Sequence, residues 1–235
     1  MTMSAWSNRF VYLDELSNNI DEALAFAKAL SFRQCWYRKF DYKSLVDLTD
    51  DGHKLFKSKL ISNGQTLIGF NISPTDIHSD KLIGLTGYYR SKYLSIEIAD
   101  KKSYANSYDA LMIFAKKMSQ VGICVVCPYY WWLMNYDKQF SAYSLDARII
   151  LNHVNVSIRD SVLRNNNFAI IDTIDVTPGY GTQWLGDGRL DFSGCIKDLG
   201  EKVMVGCAHS MVVRHGNSKV DNMRTQLGRL ERFYD

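Results

Sequence analysis

The chain has 235 residues, a length that fits one large domain or two small ones. Its 46% hydrophobic and 13% aromatic content excludes a disordered chain, and 3 prolines with 15 glycines argue against long linkers. A net charge of +3 and a pI of about 8.5 fall short of the strongly basic balance of a nucleic-acid-binding domain.

Five cysteines, Cys35, Cys124, Cys127, Cys195 and Cys207, are odd in number and irregularly spaced. They read as free thiols in a reducing cytoplasm rather than as a disulfide framework. The first ten residues, MTMSAWSNRF, lack the apolar core of a signal peptide. The greasiest run, from Val121 to Met134, is interrupted by Pro128 and is too short to cross a bilayer. A soluble, cytoplasmic protein is expected.

In chain order, Phe10 to Leu13 is a short strand or an extended lead-in. Asn19 then caps a first helix, with Glu22 three residues later as in a capping box. Ile20, Ala23, Leu24, Ala27 and Leu30 give that helix one apolar face, and it ends near Arg33. The aromatic and charged stretch CWYRKFDYKSLVDL reads as a connector whose rings pack on the core; a binding surface of Trp36, Tyr37, Phe40 and Tyr42 is the alternative. A second helix opens at Asp50 or Asp51, runs through Leu55, Phe56 and Leu60, and stops at Asn63-Gly64.

Thr66 to Ala99 reads as three antiparallel strands, TLIGFNIS, KLIGLTGYY and KYLSIEIA, with SPTDIHSD and Arg90-Ser91-Lys92 as the turns. In the first, Ile68, Phe70 and Ile72 face one way and Gly69 and Asn71 the other. Gly84 and Gly87 in the middle strand suggest a bulge or a close approach. Ser107 starts a third helix, striped by Tyr108, Leu111, Met112, Ala115 and Met118 and ending at Gly122. Cys124 to Cys127 is a short strand halted by Pro128.

Tyr129 to Asp137, YYWWLMNYD, is core or an interface hot spot. Phe140 to Asn152 is ambiguous, and Val156 to Arg164 reads as a short helix. Phe168 to Val176 and Lys202 to Ala208 read as further strands. Ser218 and Asp221 open a C-terminal helix with Met223, Leu227, Leu230 and Phe233 on its apolar face. The fold class is therefore α+β: a single domain over residues 1–235, with a mainly antiparallel sheet covered by helices.

Few residues suggest chemistry. Cys124-Val-Val-Cys127 has the spacing of a zinc knuckle or redox pair, but the valines continue a strand, so two buried thiols are favoured. The five histidines are scattered, and no nucleophile elbow, phosphate loop or dinucleotide fingerprint occurs, so no cofactor and no metal are expected. Asp172, Asp175, Asp187 and Asp191 bracket a glycine-rich loop and would serve a metal-dependent hydrolase if they converged. The same loop would instead present Tyr180, Trp184, Asp187 and Asp191 to a basic protein partner.

The order of these features resembles the immunity protein 52 family of bacterial polymorphic-toxin and type VI secretion systems. The likeness rests on the first helix, the Trp36-Tyr37 element, the Leu67-Ile68-Gly69-Phe70 strand and the Pro178-Gly179-x-Gly181-Thr182 loop. It implies a non-enzymatic protein that binds and neutralises a cognate toxin, typically a nuclease. A metal-dependent hydrolase built on Asp175, Asp187 and Asp191 is the alternative.

Overall fold

A computed structural model describes residues 9–78, 80–96, 101–128, 145–149, 169–172, 175–177, 181–184, 187, 203–208 and 218–232. Strand and helix alternate from the start: β1 (Arg9–Tyr12), α1 (Ile20–Ala29), β2 (Gln34–Tyr37), α2 (Asp50–Ser62), β3 (Thr66–Ile72), α3 (Lys81–Tyr89), β4 (Tyr93–Ile96), α4 (Lys101–Gln120) and β5 (Cys124–Pro128). β6 (Leu145–Ile149), β7 (Ala169–Asp172), the hairpin β8 (Asp175–Thr177) and β9 (Gly181–Gln183), β10 (Val203–Cys207) and α5 (Lys219–Glu231) follow.

Seven of these strands, β1 to β7, join β10 in a closed barrel, and every neighbouring pair in it is parallel. β1 closes the ring by pairing with both β10 and β2. Parallel neighbours need a crossover between them, and helices supply it for the first five strands. The expected α+β fold with an antiparallel meander is thus overturned. The segment KLIGLTGYY is not a strand but helix α3, and it carries the chain across so that β3 and β4 pair parallel.

The physical reason is visible in the spacing. Leu82, Leu85, Thr86 and Tyr89 are buried at i, i+3, i+4 and i+7, one face of a helix. Gly84 and Gly87 lie on its open side, where an added Cβ would meet nothing within 4 Å. They lower helix propensity without marking a bulge.

Other boundaries follow local chemistry. The Asn19 side chain accepts from the N–H groups of Asp21 and Glu22, while the Glu22 carboxylate takes the Ser17 hydroxyl at 2.8 Å instead of closing a capping box. Thr49, not an aspartate, caps α2 by accepting from Gly52 N–H. Asn63 and the left-handed Gly64 (φ 66°) end α2 as the sequence suggests. α4 starts at Lys101, earlier than Ser107. The expected strand from Phe168 to Val176 is divided between the barrel (β7) and the separate hairpin (β8).

The apolar residues form two layers. An inner cluster fills the barrel with Phe10, Tyr12, Trp36, Ile68, Val126, Met204 and Ala208. The outer cluster joins the strands to the helices: Val11, Cys35, Leu67, Leu94, Val125 and Val205 meet Leu24 and Ala27 of α1, Phe56 and Leu60 of α2, and Met223 and Leu227 of α5. Each large apolar side chain fully withdrawn from water here contributes about 1.5–3 kcal/mol.

The barrel has one irregularity that reorients polar side chains. The β2–β3 register shifts between Cys35 and Trp36, so that Cys35 faces Leu67 but Trp36 faces Gly69. The extra residue, Ile68, packs inside with Trp36, whereas Phe70 and Ile72 join the outer cluster. The expected common face of Ile68, Phe70 and Ile72 is split, and Asn71 is turned into the barrel.

Candidate active site at the carboxyl end of the barrel

In parallel barrels the strand carboxyl ends and the loops after them form one face, and reactive side chains gather there. Here four adjacent strands, β1 to β4, deliver polar groups to that end. Trp36 Nε1–H donates to Asn71 Oδ1 at 2.7 Å, which fixes the carboxamide inside the barrel at 2% exposure. Ser95 pairs in register with Asn71 on the neighbouring strand. Leu94 and Ile96 belong to the outer cluster, so Tyr93 and Ser95 point the other way, inward. Ser95 is 1% exposed, and its hydroxyl has no hydrogen-bond partner.

Just past β1 and β2 lies an ionic cluster. Arg38 Nε–H donates to both Asp14 carboxylate oxygens at 2.9 and 2.8 Å, and its Nη2 bonds the Glu15 carboxylate. The Arg38 guanidinium also lies 4.4 Å from the centroid of the Tyr12 ring. Burial works against the Arg38 charge, but Asp14 and Glu15 outweigh it and hold the group protonated, above its ordinary range. The Glu15 side chain is fully buried. Lys219 of α5 donates to the Asp14 carbonyl at 2.7 Å and to Asn18 Oδ1 at 2.8 Å, tying the last helix to the turn after β1.

The sequence singled out other residues. Trp184 is buried (3% exposed), 6.0 Å below the Arg229 guanidinium. Asp187 is exposed and pairs with Arg229 at 2.5 Å. Tyr180 and Asp191 lie outside the described residues, as do the segments 129–137 and 156–164. Of the acidic set, Asp172 ends barrel strand β7, Asp175 begins the separate hairpin, and Asp187 is held by α5. The described members of the set stand on three different elements. Burial pushes the Cys35 thiol up, so it is not a ready nucleophile.

Tyr12, Arg38, Asn71 and Ser95 were missed as site residues. The signal for two of them was present: Asn71 and Ser95 are lone polar residues inside apolar strand runs. An antiparallel reading gave that face to water, whereas the barrel gives it to the interior.

No protein-family model matches the chain, and no curated protein matches it. Solved structures do resemble it. A xylose isomerase domain protein from Alicyclobacillus acidocaldarius superposes with a TM-score of 0.68 at 11% identity, covering 96% of this chain and 97% of that one. A D-allulose 3-epimerase from Methylomonas sp. gives a TM-score of 0.61 at 13% identity over 96% and 97% of the two chains. A xylose isomerase-like TIM barrel protein from Mycobacterium smegmatis, in complex with magnesium, gives 0.64 at 11% identity over 100% of both.

The likeness is one of fold, a xylose isomerase-like TIM barrel. It replaces the resemblance to immunity proteins, whose expected antiparallel sheet is absent from the barrel. The non-enzymatic, toxin-neutralising role and the toxin partner were expected from that resemblance alone and fall with it, because the chain folds as a parallel barrel. The fold also separates the acidic set of the metal-dependent hydrolase alternative, since Asp172 ends barrel strand β7 whereas Asp175 begins the hairpin outside the barrel. Asp172 is the only carboxylate at the last position of a described barrel strand, and no group of three or more His, Cys, Asp or Glu among the described residues could hold a metal ion. The described donors therefore do not make a divalent-cation site. Among the described residues, no helix is long and apolar enough to cross a membrane.

Proposed function

We propose that the chain is a single-domain barrel enzyme that acts at the carboxyl end of its strands on a small polyhydroxylated carbonyl compound, as a sugar isomerase or epimerase. The observation that carries this reading is the polar pair Asn71 and Ser95 inside the barrel, with the Ser95 hydroxyl left without a partner. A barrel interior selected for stability alone fills with branched apolar side chains. An unpaired buried hydroxyl costs about 1–3 kcal/mol, which a substrate oxygen reaching Ser95 would offset.

The chemistry of such substrates fits the surroundings. Isomerisation and epimerisation act at a carbon next to a carbonyl and require close placement of the substrate carbonyl and hydroxyls, which the Asn71 carboxamide and the Ser95 hydroxyl can hold by hydrogen bonds. Asn71 is held rigidly by Trp36, and the Arg38 cluster fixes the loops after β1 and β2 around it. The epimerase among the fold neighbours supports the same reaction type. The buried thiol of Cys35 supports a reducing, cytoplasmic setting.

A thermal-shift panel tests the reading. Pentoses, hexoses and cyclic polyols are added singly, with apolar alcohols as controls. A rise in melting temperature with a sugar or polyol, absent with the controls, supports it. No rise with any polyhydroxylated compound would sink it.

A further inference from the structure

The chain between β2 and α2 makes a two-residue hairpin turn. Phe40 N–H donates to Lys43 O at 3.1 Å, and Lys43 N–H to Phe40 O at 2.9 Å. The two residues at its tip, Asp41 and Tyr42, are both left-handed, with φ of 49° and 61°. That is the type I′ geometry, which normally takes Asn or Gly. For a tyrosine the left-handed conformation costs roughly 1–2 kcal/mol. Tyr42 is 100% exposed, so no side-chain packing among the described residues offsets that strain. The ring is held out in water by a backbone that is itself strained.

Beside the turn, between α1 and α2, lies a groove of about 280 Å3 walled by Ile20, Phe40, Leu48, Leu55 and Phe56. Its volume is just under the roughly 300 Å3 at which ligand pockets begin, room for one aromatic side chain. Leu55 on its lip is 58% exposed. Tyr42, a fully exposed ring next to Asp41 and Lys43 of the groove wall, does not enter this groove in its own chain. The rim carries both signs of charge, with Asp41 and Lys43 flanking the tyrosine. Neither forms an ion pair among the described residues.

We infer that this face is a self-association surface, in which Tyr42 of each copy inserts into the groove of a second copy of the same chain. A patch holding a projecting ring, a groove and, flanking the ring, the opposite charges of Asp41 and Lys43 is self-complementary. A two-fold axis beside the turn sets Asp41 against Lys43 of the other copy twice, as an isologous contact requires. Each inserted ring withdraws about 150–250 Å2 of its own surface. The two grooves lose a similar area, so the total is about 600–1,000 Å2, within the range of weak, transient contacts and below that of stable specific interfaces. The association is therefore weak and depends on concentration. The strained turn keeps the ring extended before the copies meet, which lowers the ordering cost of binding.

Sedimentation velocity over two decades of concentration tests the inference on the full chain. The wild type shifts from monomer to dimer. Tyr42→Ala stays a monomer with an unchanged melting temperature, because the lost ring touches nothing in its own fold. Asp41→Lys and Lys43→Asp are each monomeric alone and associate when mixed, since the mixture restores both charge pairs. A wild type that stays monomeric at every concentration, a dimer that survives Tyr42→Ala, or charge-reversed variants that fail to associate when mixed would each overturn it.

Discussion

The indole of Trp36 lies against the bare backbone of Gly69, so closely that a Cβ at position 69 would stand 2.4 Å from the ring. The register shift between β2 and β3 brings the two residues face to face, and the bond from Trp36 Nε1 to Asn71 Oδ1 leaves the ring no room to swing. Gly69→Ala should therefore destabilise the barrel by about 1–3 kcal/mol, the usual cost of overpacking a tight core. Trp36→Leu removes the colliding ring, so the double variant should lose less than the sum of the singles. A double-mutant cycle in denaturant measures that coupling; strict additivity would show that the contact is not what excludes a side chain at position 69.

Arg38 neutralises the fully buried Glu15 carboxylate and also chelates Asp14. Removing the guanidinium strands a negative charge out of water. Arg38→Ala is expected to cost about 3–5 kcal/mol, as for other broken buried pairs. Arg38→Ala combined with Glu15→Gln should recover much of that loss. Chemical unfolding at neutral pH checks both values, and a single variant as stable as the wild type would contradict the arrangement.

The unpartnered hydroxyl of Ser95 predicts a split between stability and activity. Ser95→Ala removes an unsatisfied polar atom from the barrel, so the free protein should be as stable as the wild type or more so, by up to about 1 kcal/mol. Its affinity for a polyhydroxylated ligand should fall about tenfold, the worth of one lost hydrogen bond. Melting curves of the two proteins with and without ligand read both effects in one experiment. A variant that melts lower while binding ligand normally would make Ser95 a structural residue.

His53 gives a pH prediction. Its Nδ1 sits 2.9 Å from the Tyr89 hydroxyl, and its Nε2 is buried without a partner. Burial, then the charge of Lys81, hold its pKa below the ordinary histidine value, while Asp50 pulls weakly the other way. A depressed folded-state pKa means that protons bind the unfolded chain first. The stability contributed by neutral His53 is complete above about pH 6.5, the unfolded value, and is lost as pH falls toward the folded value. His53→Gln should flatten the stability profile over that acidic window. Urea midpoints measured across the window decide it, and an unchanged slope in the variant would exclude His53 as its source.

Local signals carried much of the helical architecture. Helices α1, α2 and α5 follow caps and apolar stripes that can be read directly, as at Asn19, Asn63-Gly64 and Ser218. The parallel barrel was harder to see because its pairing is non-local: β1 meets β10 nearly two hundred residues away, and nothing in Arg9–Tyr12 announces that partner. The decisive segment is KLIGLTGYY. Its two glycines weaken a helical reading and its two tyrosines favour a strand, while the buried set Leu82, Leu85, Thr86 and Tyr89 has helical spacing. Taking that helix for a strand turns a β–α–β unit into a meander and a parallel sheet into an antiparallel one.

The candidate site was legible only in part. Alternation correctly set Asn71 apart from Phe70 and Ile72. It did not reveal that the far side of the strands is a closed interior and not water. Arg38 lay inside a stretch read as a connector, and its role depends on Asp14 and Glu15, more than twenty residues earlier. Ion pairs between successive loops leave no mark on local spacing.

The central claim is that a small sugar binds at the carboxyl end of the barrel and reacts at the carbon next to its carbonyl. Proton NMR in deuterated buffer tests it most directly, with a panel of aldoses and ketoses followed in the presence of the wild type and of Ser95→Ala. The wild type should replace the hydrogen next to the carbonyl of at least one sugar with deuterium, and Ser95→Ala should do so about tenfold more slowly, the equivalent of one hydrogen bond. A panel in which the wild type exchanges no such hydrogen and interconverts no pair of sugars would contradict the account.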